Sequence, residues 1–221
     1  MPKLRMKITK GEEIRYISHL DFLKTFERIL KRSKLPIKYS QGFNPHMKFS
    51  FSSALAVGVV SDEEYVDIEL LEQKSISEIK RCFKDAICEG IEIEEAFYVD
   101  EKAPSLMSSI TEASYNIINL IAEEDFEKSY ESIDNFNSEK SIVFTRTHDK
   151  KGSKEIDIKD FLVKDVEYKQ EKNKLILFFD IKVTPTGSIK PTDVLNVLVD
   201  IYKLPIQKEA AIINRIKIKI N

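Results

Sequence analysis

Leu4, Met6 and Ile8 alternate with Lys3, Arg5 and Lys7, the period of two that marks a strand with one buried and one wet face. After Gly11, the run Ser18-His19-Leu20-Asp21 has a hydroxyl cap and a carboxylate three residues on, which predicts a helix over His19–Ser33. Its core stripe is Phe22, Phe26, Ile29 and Leu30, and Lys24, Arg28, Lys31 and Arg32 recur on another face. Pro36 follows, and a short second strand is expected somewhere in 37–57. Val66, Ile68 and Leu70 alternate in a further strand at 65–70. Ile76, Ile79, Phe83, Ala86 and Ile87 then return at helical spacing, with Ser75 as cap and Gly90 as a left-handed stop. In the next strand Ile91, Ile93, Phe97 and Val99 share a parity that Glu95 interrupts, the mark of a bulge or an edge.

Residues 1–100 therefore read β-α-β-β-α-β, the split order of a ferredoxin-like domain. The remainder repeats it less clearly. Strands are expected at 114–121, 141–147, 163–170 and 174–182, and helices at 124–136 and from Pro191, whose fixed φ suits a first helical turn. Ile216, Ile218 and Ile220 alternate in the last strand, and an inserted loop is expected at 148–162. The fold class is α+β, two tandem ferredoxin-like (βαββαβ) domains. The first spans 1–104, with the basic first helix, and the second spans 105–221, with the inserted basic loop; 101–109 is the expected linker.

Composition narrows the class. Hydrophobic residues make up 42% of 221, and glycine and proline together number only 13, which excludes disordered and collagen-like chains. The charged N-terminal stretch and the want of any long apolar window predict neither signal peptide nor membrane span, hence a cytoplasmic protein with no membrane partner. Cys82 and Cys88, six apart on one helix, are too far apart for a disulfide and read as free thiols.

The net charge of −2 conceals a polarity, because residues 1–50 carry 12 Lys/Arg against 4 Asp/Glu and residues 51–100 carry 4 against 13. Lys3, Arg5 and Lys7 share their sheet face with Asp67, Glu69, Glu92 and Glu94, so cross-strand pairs neutralise the strands and leave the basic excess on the first helix and its loops. A sheet face of salt pairs also disfavours an RNA-recognition motif, which stacks bases on sheet aromatics.

No glycine pattern of a dinucleotide site or P-loop is present, and two cysteines supply neither a radical-SAM cluster nor a structural zinc; no cofactor and no metal is expected. Chemistry concentrates in two stretches, 15–21 and 39–48. His19 in the first helical turn sits where backbone N–H groups favour anions, and Asp21 reads first as the capping carboxylate. In the second stretch Gly42 permits a tight turn, Pro45 extends Asn44, and Phe43 and His46 offer planar faces beside Lys48. A third group, Arg146, His148, Lys150, Lys151 and Lys154, reads as a hairpin tip or as a phosphate-contacting loop.

The candidate ligand or RNA contacts are thus Arg15, Tyr16, His19, Gln41, Gly42, Phe43, Asn44, His46, Lys48, Arg146, Lys151 and Lys154. His19, Asp21 and His46 are the candidates for acid/base chemistry. Arg15, His19, Asn44, His46 and Lys48 are expected to surround one anion-binding cleft.

The block IRYISHLDFLKTFERILKRSKLPIKYSQGFNPHMKFSFSSALAVGV, with KGSKEIDI and GSIKPTDVL, resembles an uncharacterised radical-SAM-linked family, encoded beside or fused to B12-binding radical-SAM proteins; Met47 stands where proline is commoner. The resemblance spans most of the chain and implies a radical-SAM protein as partner, with no activity attached. Tandem ferredoxin-like order is also similar to CRISPR repeat-processing endonucleases, by fold analogy alone. The leading expectation is a noncatalytic accessory protein that binds RNA, tRNA or rRNA, and cooperates with a radical-SAM enzyme. The alternatives are an RNA-processing or RNA-modifying enzyme using His19 or His46, and a protein-interaction subunit using the acidic 51–100 surface.

Overall fold

The computed structural model describes residues 1–122, 126–148, 152–184 and 187–221. The chain is of α+β type, with mostly antiparallel strands and, among the described residues, five helices. It divides into two compact units, Met1–Ile110 with Lys217–Asn221, and Thr111–Ile216.

Unit 1 contains β1 (Lys3–Lys10), a 3-10 turn at Glu12–Ile14, α1 (His19–Ser33), β2 (Phe49–Phe51), β3 (Val59–Glu69), α2 (Ile76–Lys84), β4 (Ile93–Val99) and α3 (Leu106–Ser109). β1 lies between β4 and β3, antiparallel to both, and β2 pairs antiparallel with β3. The expected alternation fixes the core: Leu4, Met6 and Ile8 of β1 and Val66 and Ile68 of β3 are fully buried. The α1 stripe packs on them, with Phe22 5.1 Å from Phe51 and Phe26 5.9 Å from Phe49 between ring centroids. α1 starts as its sequence asks, the Ser18 hydroxyl accepting from the Asp21 N–H at 3.1 Å, and it stops at Lys34 in the left-handed region.

Several local expectations need correction. α2 ends at Lys84 with Asp85 as its C-cap, and Gly90 is not the stop; its φ of +85° serves a later turn where Gly11 N–H donates to its carbonyl. A bulge does interrupt β4, since Lys7 pairs with Glu95 and Ile8 with Ile93. The inserted residue inverts the parity, so Ala96 and Tyr98 pack on the core and Phe97 turns outward, 39% exposed.

The outer face of β1 and β3 is not wet throughout: Arg5 and Asp67 form a bidentate pair at 2.8 and 2.9 Å and both are buried. The stretch expected as a linker, 101–109, is the reason. Ala103 accepts from the Lys3 ammonium at 3.1 Å, Leu106 is buried, and α3 packs against β2 and β3.

Unit 2 contains most of β5 (Ile110–Ala122), α4 (Phe126–Ser138), β6 (Val143–His148), β7 (Gly152–Asp157), β8 (Glu167–Glu171), β9 (Lys174–Lys182), α5 (Pro191–Asp200), β10 (Ile206–Gln207) and the start of β11 (Ile212–Ile220). β9 pairs with β5 and β8, and β6 and β7 form a separate hairpin. β7 replaces part of the expected loop; its first four residues are exposed, Ile156 is buried and Asp157 half-buried, so no apolar alternation announces it. α5 does begin at Pro191.

Candidate nucleic-acid interface

Residues 37–48 form an arm that doubles back on itself. Ile37 bridges to Leu70 and Tyr39 to Met47, and Lys48 N–H donates to the Lys38 carbonyl at 2.8 Å. Ile37 and Met47 are buried, so the base of the arm is anchored in the unit 1 core. At the neck, Ser40 N–H donates to the His46 carbonyl at 2.8 Å, His46 N–H donates to the Ser40 hydroxyl at 3.1 Å, and that hydroxyl lies 2.9 Å from His46 Nδ1. The neck holds a five-residue tip, Gln41 to Pro45. Gly42, at φ +127°, turns the chain in a region closed to other residues. The tip presents Phe43 fully to solvent, with Tyr39 44% exposed beneath it.

Under the arm a cleft of about 330 Å³ is lined by Lys3, His46, Lys48, Asp67, Glu69 and Ser105, among others. Its charges are largely committed. Lys38 approaches Glu69 at 2.9 Å and Lys48 approaches it at 3.6 Å, and the Lys38 hydrogen bond, against the opposing effect of burial, holds the Glu69 carboxyl below the ordinary glutamate range.

Arg15, Tyr16, His19 and Asp21 lie elsewhere. The Arg15 guanidinium stacks over the Tyr16 ring at 4.6 Å and donates to its hydroxyl at 2.6 Å, and the Arg15 carbonyl accepts from Gly58 N–H at 2.8 Å. The buried Lys10 ammonium ties the same turn by donating to the carbonyls of Arg15 and Ile17. His19 meets the Phe51 ring edge-on at 6.4 Å, and Asp21 accepts from the Ser18 hydroxyl at 2.7 Å within the cap.

The expected single cleft is therefore not formed. Lys10 stands opposite Ser61 of β3 and Lys3 opposite Glu69, so the turn at Arg15 and the cleft at Lys48 occupy opposite ends of β3, about 26 Å apart at 3.3 Å per residue. The cause is α1 itself, whose 15 residues carry the chain about 22 Å before the arm begins.

In unit 2, Arg146 of β6 stands opposite Lys154 of β7. Its guanidinium is spent on Asp193, which also accepts from Lys190 N–H at 2.7 Å at the start of α5. Arg146, Gly152, Lys154, Gly187 and Ser188 line one cleft, where the pair with Asp193 fastens the hairpin; Arg146 stands on β6 and is not a loop residue. Lys154 is exposed. Lys150 and Lys151 lie outside the described residues.

Sequence reasoning missed Lys38, Ser40 and Glu69. The alternation of Ile37, Tyr39 and Met47 around a Ser-x5-His neck was the available signal.

A family model described as "Uncharacterized protein conserved in bacteria (DUF2344)" matches residues 3–191, and that description carries no radical-SAM link. Comparison with curated proteins gave no match. Among solved structures, a chain in the crystal structure of a Cbf5-Nop10-Gar1 complex is similar at a TM-score of 0.52 and 8% identity, over 98% of this chain and 48% of that one. The likeness is one of fold, and this chain spans about half the length of its match.

Proposed function

The chain belongs to the bacterial family DUF2344, and within it we propose a noncatalytic accessory protein that binds single-stranded segments of RNA, tRNA or rRNA, at the arm of unit 1. The observation that carries this reading is Phe43, a large aromatic wholly in solvent at the tip of a loop whose neck is clamped by hydrogen bonds. Keeping a phenylalanine out of any core forgoes about 1.5–3 kcal/mol of burial, and base stacking on an aromatic returns about 1–3 kcal/mol per base. The surrounding charge suits a polyanion: between Phe22 and Lys48 there are seven Lys/Arg and a single acid, Glu27. Lys31 of α1, held at 2.7 Å by Glu27, lies within electrostatic reach of Tyr39. A ring for bases beside a basic helix for phosphates is the usual division between stacking and backbone contact.

Architecturally we read each unit as a ferredoxin-like domain. The β4-β1-β3-β2 order supports this in unit 1, and in unit 2 the β5-α4-β8-β9-α5-β11 sequence of elements supports it, with the β6–β7 hairpin as an insert. A radical-SAM partner and a cytoplasmic setting complete the reading; the first rests on the sequence resemblance. No helix among the described residues is long and apolar enough to cross a membrane.

The test is a salt-dependent titration with a single-stranded RNA oligomer. Phe43→Ala is expected to weaken binding by about 1–3 kcal/mol with the salt slope intact, because stacking releases no counterions. Lys31→Ala is expected to reduce the slope by about one unit, and Arg15→Ala, at the far end of β3, to change neither. Equal effects of Arg15→Ala and Phe43→Ala would refute the arm as the interface.

A further inference from the structure

On the other edge of unit 1, β4 ends the strand order. β1 pairs with its inner side, and the Glu92 peptide is likewise turned inward, accepting from Thr9 N–H at 3.0 Å and donating to the Thr9 hydroxyl at 3.0 Å. Among the described residues no strand pairs with its outer side. An open groove of about 500 Å³ runs between this edge and α2. Phe83, Ile87, Ile91 and Ile93 give it an apolar floor, and Lys80, Arg81 and Lys84 rise along its helical wall. The three cations fall at i, i+1 and i+4, on one side of α2, and among the described residues none of them is in an ion pair.

We infer that this groove takes an extended, acidic segment of a partner protein, which pairs with the β4 edge and lays apolar side chains on Ile87, Ile91 and Ile93. Three features converge on that occupant. An unpaired strand edge offers main-chain donors and acceptors at the spacing of another strand. The apolar floor lies beside that edge, so alternate side chains of an added strand fall into it. The Lys80–Arg81–Lys84 wall then selects carboxylates, in side chains on the same face of the segment as the apolar ones or at its own C-terminus.

A second copy of this chain fits poorly. Two β4 edges paired antiparallel about Glu94 would bring Glu92, Glu94 and Glu95 of one strand among the same residues of the other, and pairing centred on Ala96 would still leave Glu92 opposite Asp100. The same acids on β4 require that the outward face of the partner segment be neutral or basic. Phosphate contact by the cationic wall would not use the apolar floor, which separates this surface from the RNA-binding arm. The inference stands independently of the RNA reading.

The experiment selects short random peptides displayed on phage against the full chain, then titrates synthesised winners into it and into the Lys80→Gln/Arg81→Gln/Lys84→Gln variant, with a thermal melt to confirm folding. Winners are expected to carry apolar and acidic residues together at every second position, with neutral or basic residues between them, to lose at least about tenfold in affinity for the triple variant, and to slow amide exchange along 93–99. Ile87→Gln, which alters the floor and leaves the cations, is expected to weaken the same peptides. Overturning results are an absence of winners, winners without acidic residues, unchanged affinity for both variants, or no slowing at β4. Concentration-dependent burial of β4 in a dimer, or RNA in place of peptide protecting the groove, would likewise overturn it.

Discussion

Ser18 caps α1 through its hydroxyl, and Ser18→Ala is expected to cost about 1 kcal/mol in a thermal or denaturant melt. Asp21 shares that cap and sits at the positive end of the helix, so Asp21→Asn should cost less and leave RNA binding unchanged. Lys10 is a sharper case. Its position continues the buried parity of Leu4, Met6 and Ile8, where a lysine reads as the end of the strand; instead its ammonium satisfies two carbonyls of the 15–17 turn and lies 5.9 Å from the Phe22 ring. Lys10→Met keeps the volume but takes the ammonium donor from both carbonyls, leaving that of Arg15 with Gly58 N–H. A loss of about 1–3 kcal/mol is expected, with faster amide exchange at that turn. Nothing in the alternation of β1 announces this role, because the partners are backbone atoms supplied by a later segment.

At the scale of elements, the arm is held by Lys38 and Lys48 on Glu69. A carboxyl whose folded-state pKa lies below its unfolded value adds stability above the unfolded value and loses it as pH falls through the folded one. The arm should therefore loosen below about pH 4, read as faster exchange at the Lys38 and Lys48 amides, and Glu69→Gln should remove that dependence. The elements that sequence alone located well are those with a solvent face and a core face, such as β1 and α1, since a single periodicity reports both. β4 was half legible. Glu95 signalled the bulge, but which residues face inward after it depends on a register that only the pairing with β1 supplies. β7 was invisible because its hairpin buries little beyond Ile156, and the covering of Arg5 and Asp67 by 101–109 was invisible because it is a tertiary contact between segments about a hundred residues apart.

Across the whole molecule, the charge polarity of the first hundred residues resolves into two kinds of surface. Lys7 is held by Glu94 at 2.9 Å and Glu63 at 3.1 Å, and Arg5 by Asp67, so the strands cancel internally as their alternation implied. The basic excess is left on α1 and the arm, next to Phe43. Of the candidate site, Phe43, Gly42 and His46 were legible as an unusual loop, whereas the distance from Arg15 was not, because the length of α1 enters only once the helix is laid along β3. The return of Lys217–Asn221 to unit 1, where Ile218 N–H donates to the Glu63 carboxylate at 3.0 Å, has no local sequence signal either.

RNA at the arm is the claim on which the functional account rests, and ultraviolet cross-linking of a single-stranded RNA oligomer to the full chain, followed by peptide mass spectrometry, tests it most directly. The account predicts cross-links concentrated at Phe43 and Tyr39, lost at Phe43 in the Phe43→Ala variant and insensitive to Arg15→Ala. Cross-links confined to surfaces away from residues 37–48, or none from the wild type at low salt, would contradict it.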